Sequence, residues 1–507
     1  LEGIHYWIEK RAQIAPNKLA LIGENDRVTY KQMSENINVI AQCLQERLLL
    51  KKGDRLGLLL PNGIEYVMIL FAAAKIGSII VPLNTRLTAT ELAFQMNDSQ
   101  TTAFIIGKEF EDLGKNIIDR TKITSVMLLD AGVKSLQELV QTTQREEASL
   151  PEVDGSLPFI ICYTSGTTGR PKGAVLTQEN MFWNALNNQL SLDITSNDVT
   201  LTLLPLFHIG GIGLFSLPVL FMGGTVVIPS KFDTSRVLKL IEQYRITLIM
   251  GVPTIYDSIR KDPNFNHTDL TSVRWFYSGG APCPLELISF FTDKGLPFGQ
   301  GFGMTETSPT VFLQTKDHYL ESKGSIGKAA MFTEIRVVDP SGKDVAPDEV
   351  GELWIKGPNV FKEYWNLPKE TAASFKDGWF LTGDLVKKDQ DGFVYIAGRK
   401  KEMIISGGEN IYPLEIEQAI AKLKQVHETA VIGVPDDRWG EIPIAIIALH
   451  EGSTLTKKEI QEYCRQYLAK YKVPKDVYFV NALPKNATGK IDKALIKKQY
   501  TRSWHHD

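Results

Sequence analysis

Residues 163–175 read Tyr163-Thr164-Ser165-Gly166-Thr167-Thr168-Gly169-Arg170-Pro171-Lys172-Gly173-Ala174-Val175, and the rest of the chain is interpreted from this stretch. The apolar run at 157–162 predicts a buried strand that delivers the chain into the loop. Thr177 is an N-cap for a helix over about 178–190. Between strand and helix stand four aliphatic hydroxyls, three glycines, one arginine and one lysine. Glycine lets backbone N–H groups approach a ligand closely. Hydroxyls and N–H groups donate to phosphate oxygens, and Lys172 adds a mobile positive charge. The composition suits a polyphosphate. The spacing differs from the common P-loop, in which Lys and Ser/Thr directly follow the second glycine; here Pro171 separates Arg170 from Lys172.

The 507 residues allow two to four domains. Net charge is −3, from 56 basic and 59 acidic residues, which excludes a general nucleic-acid binder. Cys43, Cys162, Cys283 and Cys464 are scattered without metal or disulfide spacing, which fits a reducing, cytoplasmic setting. The most apolar stretch, 66–83, is interrupted by Lys75 and Gly77 and reads as a core helix leading into a strand, not as a membrane span. The start at Leu1 shows no basic region followed by an apolar one, so no signal peptide is read, although the chain does not begin with Met.

Apolar runs alternate with amphipathic stretches over 1–150, an α/β pattern. Arg86, after the strand read at 78–83, is either a surface charge or an anion contact. Over 199–300 short strands alternate with helices at 235–244 and 284–294, which predicts parallel or mixed sheets with ligands at the carboxyl ends of strands. Residues 324–398 read as β-rich. The expected fold is therefore α/β: a large N-terminal domain over 1–400, with mixed sheets flanked by helices plus a β-rich part, and a small mobile α+β domain over 401–507. In the small domain, Pro413 opens a helix and Thr456 with Glu459 forms a capping box.

Four further stretches carry chemistry. Gly301-Phe302-Gly303-Met304-Thr305-Glu306 places glycines where an adenine could lie against the backbone, Phe302 where it could stack, Thr305 as a phosphate donor and Glu306 as a Mg²⁺ carboxylate. Asp384, behind Gly383, is a candidate for both ribose hydroxyls, with Arg399 facing the same ribose or a phosphate. Gly407 and Gly408 permit either a narrow passage beside the backbone or a simple turn. Lys490, next to Gly489 on a terminal loop, can be carried into a site made by another domain. Eight lysines over 470–498 form either a solvated basic face or, in part, an attraction for the phosphates of CoA.

These five motifs, in this order along nearly the whole chain, resemble the adenylate-forming (ANL) superfamily, which holds acyl-CoA synthetases, nonribosomal adenylation domains and luciferases. The resemblance is nearest to bacterial medium- and long-chain fatty-acid–CoA ligases. It implies an ATP-dependent, AMP-forming acid–thiol ligase: acid and ATP give acyl-adenylate and pyrophosphate, the small domain rotates, and CoA takes the acyl group. It implies that Thr164, Ser165, Gly166, Thr167, Thr168, Gly169 and Lys172 hold the β- and γ-phosphates, with Thr164 and Glu306 at Mg²⁺. Gly280, Gly301, Phe302 and Thr305 would hold AMP, Asp384 and Arg399 its ribose, and Lys490 the α-phosphate. Lys490, Thr305 and Glu306 would then carry the chemistry. Lys401 matches the hinge, Gly407 and Gly408 the CoA channel, and His208, Gly211, Gly280 and Met304 the acyl pocket. His208, alone in an apolar loop, reads otherwise as a packed, satisfied residue. Residues 210–213 read as small and flexible, leaving room for an acyl chain of rising length. The alternative substrate class is an aryl acid of the o-succinylbenzoate or hydroxycinnamate type. ATP, CoA and a small carboxylic acid are the expected partners, without nucleic acid or a membrane span; peripheral membrane contact and a homodimer are left open. A luciferase-like oxygenase, a nonribosomal adenylation domain and a non-catalytic nucleotide-binding module are weaker rivals, the last because Lys490 and Glu306 are both present.

Overall fold

The computed structural model describes residues 1–130, 151–164, 170–486 and 489–504. The chain divides into two compact units, Leu1–Ile335 with Ile355–Phe380, and Arg336–Trp354 with Leu381–Asp507.

The first unit holds two large sheets among its described residues. In the seven-stranded sheet, Pro158–Thr164, Ile79–Pro82, Arg55–Leu59, Ala103–Gly107 and Ser125–Leu129 run parallel, and Lys172–Thr177 and Glu363–Tyr364 are added antiparallel at one edge. In the nine-stranded sheet a parallel centre, from Leu19–Ile22 across to Phe298–Gly303, carries antiparallel strands at both edges. The α/β expectation is met. The central strands are apolar without alternation because both faces are covered: every residue of Ala103–Gly107 and of Trp275–Ser278 is buried.

One helix explains how the two sheets share a core. Ile64–Ile76 is apolar around nearly its whole circumference, and eleven of its residues are buried. Its side chains belong to one apolar cluster with Leu56 and Leu58 of one sheet and Leu21 and Val226 of the other. It stops at Gly77, whose φ of 70° suits glycine at a helix C-terminus, and the chain re-enters the sheet at Ile79–Pro82. No helix among the described residues is long and apolar enough to cross a membrane.

The strands Glu334–Val338, Val350–Lys356 and Trp379–Lys388 run across the division between units. In the second unit Trp379–Lys388 pairs antiparallel with Val394–Arg399, which sets Asp384 opposite Arg399. Beyond them Ile404–Ser406, Glu409–Ile411, Val426–Asp436, Gly440–Leu449 and Asp476–Val480 form a second sheet, packed by Pro413–Ile420, Lys457–Tyr467 and Lys493–Trp504. The capping box is formed: Thr456 Oγ1 accepts from Glu459 N at 3.2 Å, and Thr456 N donates to Glu459 Oε2 at 2.7 Å. The residues 398–401 lie inside this unit. Lys401 is exposed on the single turn Lys400–Glu402, and its neighbours are tied on either side, Lys400 to Glu352 at 2.9 Å and Glu402 to Lys493 at 3.1 Å.

Candidate active site

The Pro158–Thr164 strand ends where the hydroxyl-rich loop begins, and Thr164 pairs with Lys172 as the chain returns. Ser165, Gly166, Thr167, Thr168 and Gly169 lie outside the described residues. What fixes the root of the loop is clear. Tyr163 OH donates to Asp98 Oδ2 at 2.6 Å, and a Cβ on Gly173 would stand 2.6 Å from Ile161 Cγ2 and 3.2 Å from Tyr163 Cζ. Gly173 therefore lets the Tyr163 ring lie across the returning strand.

Lys172 leads to the metal-type carboxylate. Its Nζ stands 5.2 Å from the centre of the Tyr364 ring, and Tyr364 OH donates to Glu306 Oε1 at 2.8 Å. Glu306 is buried, on the turn Thr305–Thr307, and its carbonyl accepts from Phe361 N at 2.8 Å. The Cys162 thiol lies against the same turn, within hydrogen-bonding reach of Thr305 and of the Ile209 backbone. Burial pushes it up to about 12, and the Glu306 charge acts in the same direction, so it is a neutral packing group. Among the described residues no three His, Cys, Asp or Glu side chains converge as a resident metal cage. The buried Glu306 carboxylate is a hard-oxygen donor suited to a Mg²⁺ that keeps most of its ligands as phosphates and water.

Several glycines mean something other than the sequence suggested. A Cβ on Gly301 would stand 2.7 Å from Phe312 O, and one on Gly303 would fall inside contact distance of the Pro309 carbonyl. On the side where a Cβ would stand, the protein's own chain fills the space, so these two glycines let neighbouring backbone approach closely. Phe302 is half-buried with its ring 6.1 Å from Phe312. Gly280 differs, with φ of 80° and nothing nearer to its would-be Cβ than Val252 Cγ1 at 3.7 Å.

The flexible-loop expectation for 210–213 is also overturned. Ile209–Gly213 is a short helix, buried throughout. A Cβ on Gly211 would fall inside contact distance of Pro205 O, and one on Gly213 would stand 2.7 Å from Pro309 Cδ. Gly211 and Gly213 are small so that the helix can press against its neighbours. His208 is exposed instead of packed, and its Nδ1 accepts from Gly210 N at 3.1 Å, capping this helix. That bond leaves the ring proton on Nε2. Met304 is half-buried against the main core, its N–H shared by Thr307 Oγ1 and Pro309 O. Arg86 is exposed at a surface turn.

A row of amides holds these segments in register, and sequence reading missed it. Asn184 on the Gln178–Leu192 helix donates to Gly213 O at 2.6 Å and accepts from Thr310 N at 3.0 Å. Asn188 donates to Thr310 Oγ1 at 2.9 Å, and Asn180 to Pro358 O and Val360 O at 2.7 and 3.0 Å. Asn359 donates to Thr307 O at 3.0 Å. The signal was present: 180, 184, 187 and 188 are one helix face, and all four are buried asparagines where an apolar stripe would be ordinary.

In the second unit Asp384 is buried, with Arg399 Nε 2.7 Å from its Oδ1 and its own N–H donating to Thr382 Oγ1 at 3.0 Å. Lys490 is exposed as a residue, yet protein atoms crowd its ammonium and lower its pKa; Arg399 adds to the lowering and Asp384 opposes it. Its N–H donates to Asn486 Oδ1 at 3.0 Å, closing a turn in which Gly489 has φ of 83°. Gly407 and Gly408 form the turn between Ile404–Ser406 and Glu409–Ile411, with φ of 60° and 88°. A Cβ on Gly407 would stand 2.8 Å from the Trp439 ring, whereas nothing lies within 4 Å of one on Gly408.

The AMP-binding enzyme model matches residues 8–365, and the AMP-binding enzyme C-terminal domain model matches 415–490. The chain belongs to the AMP-binding enzyme family. Within that family it is an acid–CoA ligase by its full-length relatives. It is 39% identical to a feruloyl-CoA synthase of Amycolatopsis over 98% of this chain and 99% of that one. It is 37% identical to the long-chain-fatty-acid–CoA ligase FadD13 of Mycobacterium tuberculosis over 99% of both. The o-succinylbenzoate CoA synthetase of Bacillus subtilis superposes with TM-scores of 0.86 in complex with its acyl-adenylate intermediate and 0.84 with ATP and magnesium. Identity is 35% in both comparisons, over 97% of each chain in the first and 96% and 98% in the second. The acids in these names differ, so the family fixes the reaction and leaves the acid open.

Proposed function

We propose that the protein activates an apolar carboxylic acid in two half-reactions, first as the acyl-adenylate with release of pyrophosphate, then as the CoA thioester with release of AMP. The observation that carries this reading is the buried Glu306 carboxylate, joined through Tyr364 to Lys172 at the root of the hydroxyl-rich loop. An anion for Mg²⁺ and a cation for phosphate, both fixed in place, suit nucleotidyl transfer, which needs positioning and charge neutralisation more than covalent help. Lys172 with Thr164 and the loop 165–169 takes the β- and γ-phosphates, and Glu306 with Thr164 takes Mg²⁺, which when bound neutralises the phosphates. Gly280, Gly301, Phe302 and Thr305 take the AMP moiety. Asp384 accepts the ribose hydroxyls while Arg399 holds it in place. Lys490 neutralises the α-phosphate as the carboxylate attacks. The small domain begins after Lys400 and turns at Lys401, bringing Gly407 and Gly408 to the CoA thiol for the second half-reaction.

For the acid we take a medium- to long-chain fatty acid as the first reading, supported by the likeness to the fatty-acid ligase. An aryl acid is the second, favoured by the feruloyl-CoA relative. A screen of straight-chain and aryl acids with ATP, Mg²⁺ and CoA, reading AMP, separates them. A fatty-acid enzyme gains about 0.8 kcal/mol for each methylene buried, so two raise kcat/KM roughly tenfold until the pocket ends. An aryl acid ahead of every straight-chain acid installs the second reading, and ADP as product removes the adenylation mechanism altogether.

A further inference from the structure

Tyr364 lies in none of the motifs that the sequence pointed to, yet its hydroxyl donates to Glu306 and its ring lies beneath the Lys172 ammonium. We propose that Tyr364 is a positioning residue for adenylate formation, its hydroxyl orienting the Glu306 carboxylate toward the magnesium–nucleotide and its ring seating the Lys172 ammonium. This rests on the reading above in which Glu306 serves the metal and Lys172 the phosphates.

The placement follows from strand geometry. The two-residue strand Glu363–Tyr364 runs antiparallel to Lys172–Thr177, with Tyr364 opposite Ala174. Side chains two apart on a strand share a face, so Lys172 and Ala174 point to the same side, and Tyr364 is the diagonal neighbour of Lys172. The ring is held from behind by Phe361, 4.7 Å away, which itself stacks with Phe375 at 5.5 Å. Phe361 N donates to the Glu306 carbonyl, so the same short segment grips Glu306 at main chain and side chain. A phenol donating to a carboxylate makes a charge-assisted bond, stronger than a neutral one.

The test compares Tyr364→Phe, which removes the hydroxyl and keeps the ring, with Tyr364→Leu, which removes both, and with Glu306→Gln. Binding of Mn²⁺ in the presence of α,β-methylene-ATP is read by electron paramagnetic resonance, with no turnover required. Tyr364→Phe should weaken Mn²⁺ binding about tenfold, the scale of one hydrogen bond to a charged group, and raise the Mg²⁺ needed for pyrophosphate exchange in parallel. In the Glu306→Gln background the same change should add nothing, since the bond is already lost. Tyr364→Leu should further raise KM for ATP by roughly threefold as Lys172 loses the ring beneath it. Both Tyr364 variants should convert supplied acyl-adenylate and CoA at the parent rate. If Glu306→Gln loses Mn²⁺ binding while Tyr364→Phe retains it, Tyr364 positions nothing. If Glu306→Gln itself retains Mn²⁺ binding, the metal reading of Glu306 fails and this inference with it. Equal loss of both half-reactions in step with a lowered Tm would reduce Tyr364 to a packing residue.

Discussion

Lys490→Ala should divide the two half-reactions. The ammonium stands on an exposed turn closed by Asn486, near Arg399 and Asp384 of its own unit. Removing it deletes one charge from the transition state at the α-phosphate. For a group of this kind the loss is about 2.7–4 kcal/mol, or roughly 10²–10³ in rate. Pyrophosphate exchange with a cognate acid should fall by that factor, while conversion of supplied acyl-adenylate and CoA to thioester stays within about threefold. The pKa supplies an independent check. Crowding by protein, reinforced by Arg399, lowers Lys490 below an ordinary lysine, and the protonated form is the one required. Activity is therefore present below that lowered pKa and is lost as pH rises through it. Because kcat/KM reports groups of the free enzyme, an alkaline fall in kcat/KM for ATP should appear below the ordinary lysine range. Lys490→Arg should move that fall upward, since a guanidinium stays charged. Equal damage to both half-reactions in Lys490→Ala, or an alkaline fall unchanged in Lys490→Arg, would refute the assignment.

Two stability predictions follow from the packing. Asp198 is buried and meets Arg274 through two bonds of 2.7 and 2.8 Å; burial alone would raise its pKa, but these bonds with those from Thr195 N and Thr247 hold it below the usual range. Its contribution is present above the unfolded pKa of about 3.9 and lost as pH falls through the folded one, so urea unfolding should show Asp198→Asn weaker by about 3 kcal/mol at neutral pH, the cost of breaking a buried pair, with the difference shrinking in acid. Gly211→Ala should destabilise by about 2 kcal/mol through overpacking and lower turnover with every acid alike; a variant of parent stability with a shifted chain-length optimum would restore the flexible-loop reading.

The elements most legible in sequence were those whose burial shows locally. The strand read at 157–162 is Pro158–Thr164, buried over 159–162, because an apolar run flanked by polar residues is itself the record of a covered strand. The Gln178–Leu192 helix started where Thr177 said it would, its Oγ1 accepting from Asn180 N at 3.0 Å. Glu363–Tyr364 could not be read in this way. Two residues carry no period, and the strand exists because it pairs with Lys172–Thr177, nearly two hundred residues earlier. The glycines could not be read in full for a different reason. A missing side chain says that something occupies the space, and the sequence does not say whether that something is a ligand or the Pro205 and Pro309 carbonyls.

The site residues proposed from the sequence fall into two physical kinds, and the difference bears on the proposed mechanism. Glu306 and its turn are buried, tied by Tyr364, Phe361 and the asparagine row, so they cannot readjust at low cost; that suits the cation ligand proposed here, which acts best when its orientation is settled before the nucleotide arrives. Lys490 is held by a short turn, and within its own unit Arg399 disfavours its charge more than Asp384 favours it. Asp384 is meanwhile committed to Arg399 at Oδ1, though a carboxylate can accept at further lone pairs, as two ribose hydroxyls would require. An anionic phosphate would relieve the repulsion on Lys490, so on the proposed reading the ammonium gains from the nucleotide what its own surroundings withhold. A lysine so placed binds well while the phosphate is present and has little to hold it afterwards, which is what an enzyme needs if that lysine serves the first half-reaction and must withdraw for the second.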